Sequence, residues 1–210
     1  MKKRLSHGGE VTAISASING LILEARAMIE KTSGAFRHSS LEEMKNIGDC
    51  SSRASVTECG LINSVLDLKR VGDAKKKALI GTIGHIGRIC ACSAELADRV
   101  RSKIERDILF SVQAFGECVE FFAEAAGTVN AIAKLVENGV ERSEVERLCR
   151  GLERHIYEGE MRHEERLIKG VCAVKASELF TGMLDLFRAI AFHSSRAVAG
   201  LVERESGLVR

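Results

Sequence analysis

No proline occurs anywhere among the 210 residues. A proline inside a helix costs roughly 3 kcal/mol, so its absence leaves the whole chain open to long helices. Also missing is any run of some 20 uncharged apolar residues, the length a helix needs to cross a bilayer. The first residues, MKKRLSHGGEVTAIS, begin basic but carry no apolar segment behind the charges, so they do not read as a secretory signal. Cysteine is present seven times, yet the count is odd and the spacing fits no disulfide framework. We therefore expect a cytoplasmic, reducing setting. An excess of one charge is lacking too. The 31 basic and 29 acidic side chains leave a net +2, mixed along the chain, which excludes a dedicated nucleic-acid groove. There is no Gly-rich strand-to-helix turn, nucleophile elbow or HExxH, so nothing points to an enzyme.

What the chain does have is periodicity. Val11, Ile14, Ile18, Leu21, Ala25 and Met28 step by three and four along one stripe. Phe115, Phe122, Ala125, Val129, Ile132 and Val136 repeat the pattern, as do Phe180, Met183, Phe187, Ile190, Ala197 and Leu201. Each stripe is the core-facing seam of a helix in a bundle. With 45% apolar residues the chain can bury a proper core.

A shift of 101 residues lays the apolar pattern on itself. Val11, Ile14, Ile18, Leu21, Ala25 and Met28 fall on Val112, Phe115, Val119, Phe122, Ala126 and Val129. Ile83, Ile86, Ile89, Ser93, Ala97 and Val100 fall on Leu184, Phe187, Ile190, Ser194, Val198 and Leu201. The first and last helices of a unit match at the same shift, so the chain reads as an internal duplication. The expected units are residues 1–107 and 108–210. In the first, helices are expected near 10–35, from the capping box Ser39–Glu42 to Leu68, and from Asp73 to Ile104. In the second they are expected near 110–137, 143–168 and 174–205, with Ser143–Glu146 repeating the capping box and Gly139 and Gly170 acting as stops.

Three side-chain groups call for a decision. Cys50, Cys90, Cys118 and Cys149 lie within expected helices and read as small hydrophobes. Gly81, Gly84 and Gly87 form a smooth strip whose helical cost implies close approach by a neighbouring backbone, either within the bundle or in a dimer. His155 and His163 share a helix face, with Glu158 and Glu164 close by. By the helical rise the two histidines stand about 12 Å apart, which suits a polar layer better than one metal ion.

Several segments resemble the PhoU family, regulators of phosphate uptake, and most resemble the PhoU-like cytosolic tails of bacterial sodium/phosphate cotransporters. Arg162-His163-Glu164-Glu165-Arg166-Leu167, with Gly170 and Cys172 beyond, is similar to the R-x-x-H-x-x-R-L-x-x-G-x-C segment of those tails, with its leading arginine displaced. Phe180-Thr181-Gly182-Met183-Leu184 is similar to their F-x-D-L-L, and Phe110-Ser111 to the F-S that opens the second unit. The likeness spans most of 10–205 and is clearer in the second half. It implies an all-α fold of two tandem three-helix bundles.

The metal motif of that family, L-E-R-I-G-D once per unit, sets a glutamate and an aspartate one helical turn apart so that both carboxylates face a cation. Here the corresponding stretches are Ile86-Gly87-Arg88-Ile89-Cys90-Ala91 and Phe187-Arg188-Ala189-Ile190-Ala191-Phe192. Gly87 and Arg188 replace the glutamates, and Ala91 and Phe192 the aspartates. The turn Leu68-Lys69-Arg70-Val71-Gly72-Asp73 resembles the motif by letters but breaks the 101-residue register, and reads as coincidence. We therefore expect no metal at the family positions and no cofactor.

The resemblance implies a non-enzymatic regulator that contacts a phosphate transporter component or a phosphate-sensing kinase. It further implies a homodimer, without nucleic acid and at most peripheral to a membrane through a partner. Arg88, His163, Arg166 and His193 occupy family-motif positions, either for partner contact or for structure. Two alternatives stand beside this reading: a metal- or anion-binding module using His155, Glu158, His163 and the cysteines, or a helical adaptor sharing only the fold. A start at Met1 leads us to expect a free-standing chain.

Overall fold

The computed structural model describes residues 7–69, 71–137 and 139–202, with side chains from Thr12 to Leu201. Six long helices account for nearly all of them: α1 (His7–His38), α2 (Ile47–Leu66), α3 (Asp73–Glu105), α4 (Val112–Val136), α5 (Arg142–Ile168) and α6 (Val174–Val202). A short 3-10 helix, Leu41–Met44, joins α1 to α2. The fold is all-α, two three-helix bundles in tandem, and no strand occurs among the described residues.

Each helix buries the stripe its sequence carries. Ile18, Leu21, Ala25 and Met28 of α1 are wholly or almost wholly excluded from solvent, as are Phe122, Ala125, Val129 and Ile132 of α4 and Phe180, Met183, Phe187 and Ile190 of α6. Helix α2 packs on α1 and α3, and α5 packs on α4 and α6. Between those flanks, α1 lies against α4, and α3 lies against α6 along the most extensive helix contact in the molecule. Both inner pairs run antiparallel. On α3 and α6, Thr82 meets Gly200, His85 meets His193 and Arg99 meets Gly182, so one number rises as the other falls. On α1 and α4, Asn19 reaches Glu137 and Arg26 reaches Asn130 in the same sense. Antiparallel pairing of equivalent helices is what two-fold-related copies produce.

Aromatic contacts join the halves. Phe36 of α1 stacks on Phe115 at 5.0 Å and lies 5.7 Å from Phe122. Phe122 meets Phe187 edge-on at 5.0 Å, the geometry that ring quadrupoles favour. The Lys103 ammonium is buried above the Phe36 ring, 5.4 Å from its centre. Burial presses its pKa down, while Asp107 and Cys118 hold it up.

Helix ends differ from the sequence expectation in instructive ways. Ser39 does not cap α2. It sits at φ 50 at the end of α1, and Ser40 precedes the 3-10 helix without a side-chain capping bond. Ser143 is likewise inside α5, whose cap residue is Glu141, and Gly72 rather than Asp73 precedes α3. Ser111 does cap: its hydroxyl accepts from the Ala114 N–H at 3.2 Å. Gly170 stops α5 as expected, with φ 66, a conformation glycine adopts without a Cβ penalty. Val171 N–H then closes onto the Arg166 carbonyl at 3.0 Å. Val11 and the end of the 174–205 helix beyond Val202 lie outside the described side chains.

The glycine strip on α3 does not meet a backbone. A Cβ on Gly81 or Gly84 would have open space, and only Gly87 is covered, by the Glu58 carboxylate from α2. Gly159 is different, because a Cβ there would lie 2.5 Å from Cζ of the buried Phe121. Two substitutions should therefore move stability in opposite directions, read by urea unfolding. Gly84→Ala should stabilise by about 0.5–1 kcal/mol. Gly159→Ala should destabilise by about 1–3 kcal/mol through displacement of the Phe121 ring.

Candidate functional site

The four residues at family-motif positions fall into two clusters, one inside the second unit and one on the α3–α6 face.

The inner cluster is built from α4, α5 and α6. Arg162, His163 and Arg166 follow one another at helical spacing on α5 and turn the same side toward α4 and α6. Glu117 of α4 is nine-tenths buried and accepts from both arginines. The Arg166 guanidinium grips it in a fork, Nη1 to Oε1 at 3.0 Å and Nη2 to Oε2 at 2.7 Å. Arg162 Nε adds a third bond at 2.7 Å. Burial works against the Arg166 charge, but the bonds to Glu117, together with Cys172, outweigh it and raise its pKa. Its plane lies over Phe180, 5.4 Å from the ring centre, and its buried Nε has no hydrogen-bond partner. His163 is almost fully buried against the same ring, at 4.7 Å. Its Nε2 bonds with the Ser177 hydroxyl at 2.9 Å, and its Nδ1 faces the Cys172 thiol at 3.9 Å. These contacts clamp the α5–α6 connection to the bundle.

The outer cluster is basic. His85 of α3 and His193 of α6 bring their Nδ1 atoms to 3.0 Å, a distance that requires one to donate and the other to accept. Arg88 lies one turn beyond His85, and Arg196 one turn beyond His193. Because the helices are antiparallel, each imidazole feels the charge of the other helix's arginine, His85 that of Arg196 and His193 that of Arg88. Burial, then Arg196, depresses His85. Burial, then His85 and Arg88, depress His193. Arg196 lies over the half-exposed Phe192 ring, 5.4 Å from its centre. Glu58 is the carboxylate that senses Arg88 electrostatically, and burial raises its pKa.

At Gly87 and Arg188, two of the positions that the motif resemblance singles out, other side chains are engaged. The Glu58 side chain occupies the space a side chain at Gly87 would need. Arg188 donates to Glu160 and to Asp185, each at 2.8 Å. Among the described residues no group of three or more His, Cys, Asp or Glu side chains is placed to hold a metal ion.

His155 and His163 do not converge. His155 turns to α4, where its Nδ1 meets Glu124 at 2.8 Å and its Nε2 meets Glu120 at 3.3 Å. His163 turns to α6, as described. The cysteines do not join them into one ligand set: Cys50, Cys90, Cys118 and Cys149 are buried. Burial pushes the Cys90 thiol up to about 12 and Cys149 up to about 11, with Cys118 raised further. They pack in the apolar core, with Cys50 Sγ also accepting from Arg53 at 3.2 Å and Cys90 Sγ donating to the Leu21 carbonyl at 3.5 Å.

Sequence reasoning missed Glu117, Ser177, His85 and Arg196. Glu117 had a signal, being an acidic residue one turn from Ala114 and Phe121 on the buried side of α4. The approach of His85 to His193 had none, because it spans 108 residues and depends on the α3–α6 register.

Geometry of this kind defines a class: an all-helical protein of paired three-helix units, with a buried ionic clamp in one unit. No family profile matches the chain, and no curated protein matches it in sequence. Solved structures do match. PhoU from Pseudomonas aeruginosa superposes with a TM-score of 0.82 over 96% of this chain and 100% of its own, at 10% identity. A Shewanella oneidensis protein described as PhoU-like and phosphate-regulatory gives 0.57 over 92% and 99%, at 10% identity. A second PhoU-like protein of that organism gives 0.50 over 96% and 96%, at 12% identity. The chain has a PhoU-like fold. Among the described residues, no helix is long and apolar enough to cross a membrane.

Two outcomes follow for stability. Glu117→Ala should cost about 3–5 kcal/mol, because it strands the buried Arg166 charge, whereas the apolar pair Glu117→Met with Arg166→Met should cost much less; denaturant midpoints separate the two. His85, His163 and His193 all have folded pKa values below the ordinary 6.5. Below that value the unfolded chain binds protons that the folded imidazoles refuse, so stability should be full above about pH 6.5 and fall with acidification. His163→Gln should flatten that fall in thermal melts across the range.

Proposed function

We propose that this protein is a non-enzymatic regulator of phosphate uptake that acts by contact with a phosphate transporter component or a phosphate-sensing kinase. The observation that carries the reading is the likeness to PhoU over essentially the full length of both chains. The two units, 1–107 and 108–210, are read as copies of one domain, and a homodimer in the cytoplasm is the working assembly. Regulation by contact requires only that the protein bind one state of its partner better than another. It does not require the carboxylates that are replaced at Gly87, Ala91, Arg188 and Phe192. Of the motif residues, His163 and Arg166 serve the interior clamp, while Arg88 is exposed on α3 and is available to a partner.

The test is an affinity pull-down from the native host, grown with ample and with scarce phosphate and read by mass spectrometry. Recovery of a phosphate transporter component or its sensor kinase, in an amount that changes with phosphate, is the expected result. Reproducible recovery of unrelated proteins regardless of phosphate would mean that the scaffold was kept for another task, as in a helical adaptor.

A further inference from the structure

The most unusual chemistry left unexplained by a contact regulator is the basic cluster on the α3–α6 seam. His85 and His193 touch at 3.0 Å across two antiparallel helices, and Arg88 and Arg196 stand one turn along from them, each acting electrostatically on the imidazole of the other helix. Elsewhere on the surface, arginines are commonly tied to carboxylates, as Arg53 is to Glu24, Arg188 to Glu160 and Arg142 to Glu146. Arg88 and Arg196 make no such ion pair among the described residues. The acidic group that reaches the cluster, Glu58, acts on Arg88 electrostatically and is itself partly buried against Gly87. Two guanidiniums and two imidazoles on one seam are thus short of negative charge.

We infer that this seam binds a tetrahedral dianion of the phosphate class, either inorganic phosphate or the phosphoryl group of a modified partner. The guanidiniums of Arg88 and Arg196 supply the planar N–H forks that suit phosphate oxygens. The histidine pair supplies the remaining donors. In the free protein the two rings share one N–H between their Nδ1 atoms. A dianion relieves the repulsion that Arg196 exerts on His85 and that Arg88 exerts on His193, so binding draws a proton from solvent onto the accepting Nδ1; the shared hydrogen bond then breaks, and both rings turn an Nδ1–H to the anion. A metal ion is the wrong occupant, since two fixed guanidiniums flank the imidazoles. The proposal does not depend on the regulatory reading, because it concerns the chemistry of the seam alone.

Isothermal titration of the full chain at constant ionic strength tests it, with inorganic phosphate, sulfate and a phosphoserine peptide as probes. Saturable binding with Kd below about 1 mM is expected, and Arg88→Ala and Arg196→Ala should each weaken it at least about tenfold. Both side chains are exposed, so circular dichroism should find the helices intact. Glu58→Gln should tighten binding by removing the competing charge. Sulfate keeps its charge near neutrality, so its affinity isolates the protein's protons. That affinity should rise as the pH falls through about 6.5 and keep rising below it, because both imidazoles are depressed in the free protein, and it should lose its pH dependence in His85→Gln/His193→Gln. Tighter binding of the peptide than of inorganic phosphate would assign the source to a modified partner, and the reverse to the free ion. Absence of saturation for all three probes would overturn the inference, as would unchanged affinity in the Arg88→Ala/Arg196→Ala variant.

Discussion

Most of the molecule depends on how α3 packs against α6. Ile83, Ile86, Ile89 and Val100 on one helix, and Leu184, Phe187, Ile190 and Val198 on the other, are excluded from solvent. Ser93 and Ser194 stand at equivalent places in the two stripes, both fully buried. The Ser93 hydroxyl donates back to the Ile89 carbonyl at 2.7 Å, a local bond that lets a small polar group sit in an apolar seam. Because equivalent helices pair antiparallel, whatever lies at a given height on α3 meets a fixed partner on α6. That register brings His85 to His193 and sets Arg88 and Arg196 each one turn along from the pair. The seam is thus both the largest apolar joint between the units and the platform for the basic cluster.

The two units use the same scaffold and solve one packing problem differently. In the second, Glu117 is buried with Arg162 and Arg166, and His163 ties the next connection through Ser177. In the first, the residues 101 positions before Arg162 and Arg166 are Leu61 and Val65, both buried in the apolar core. A buried ion pair is weak evidence for stability, since well-packed apolar residues serve as well or better. Its consequence here is specificity of geometry. The fork from Arg166 fixes the height of α5 against α4, and with it the start of the connection at Gly170.

Much of this was legible beforehand, for identifiable reasons. The apolar stripes predicted the helices and the buried faces, because a period of three and four residues can satisfy burial in only one way. The 101-residue shift matched α1 with α4 and α3 with α6, and those are the pairs that pack against each other. The capping boxes misled, since Ser39 and Ser143 carry the right letters, but the chain reverses at Ser39 in a left-handed conformation and α5 starts one residue before Ser143. The glycine strip meets no backbone within the bundle, which leaves its dimer reading. Spacing alone cannot tell a glycine facing open space, such as Gly84, from one that a neighbouring ring demands, such as Gly159.

The sequence by itself determined the class of fold, because absent proline and repeating apolar stripes act locally, within a few turns of one helix. It also determined that Gly87, Ala91, Arg188 and Phe192 stand where the resembled motif has carboxylates, which is a matter of residue identity. Only the tertiary structure decided what surrounds those positions. Glu58 filling the place at Gly87, Arg188 turning to Glu160, and two histidines meeting across the seam all require helices distant in sequence to be held at one relative height. That height is set by the summed packing of whole helix faces, and no short stretch of residues encodes it.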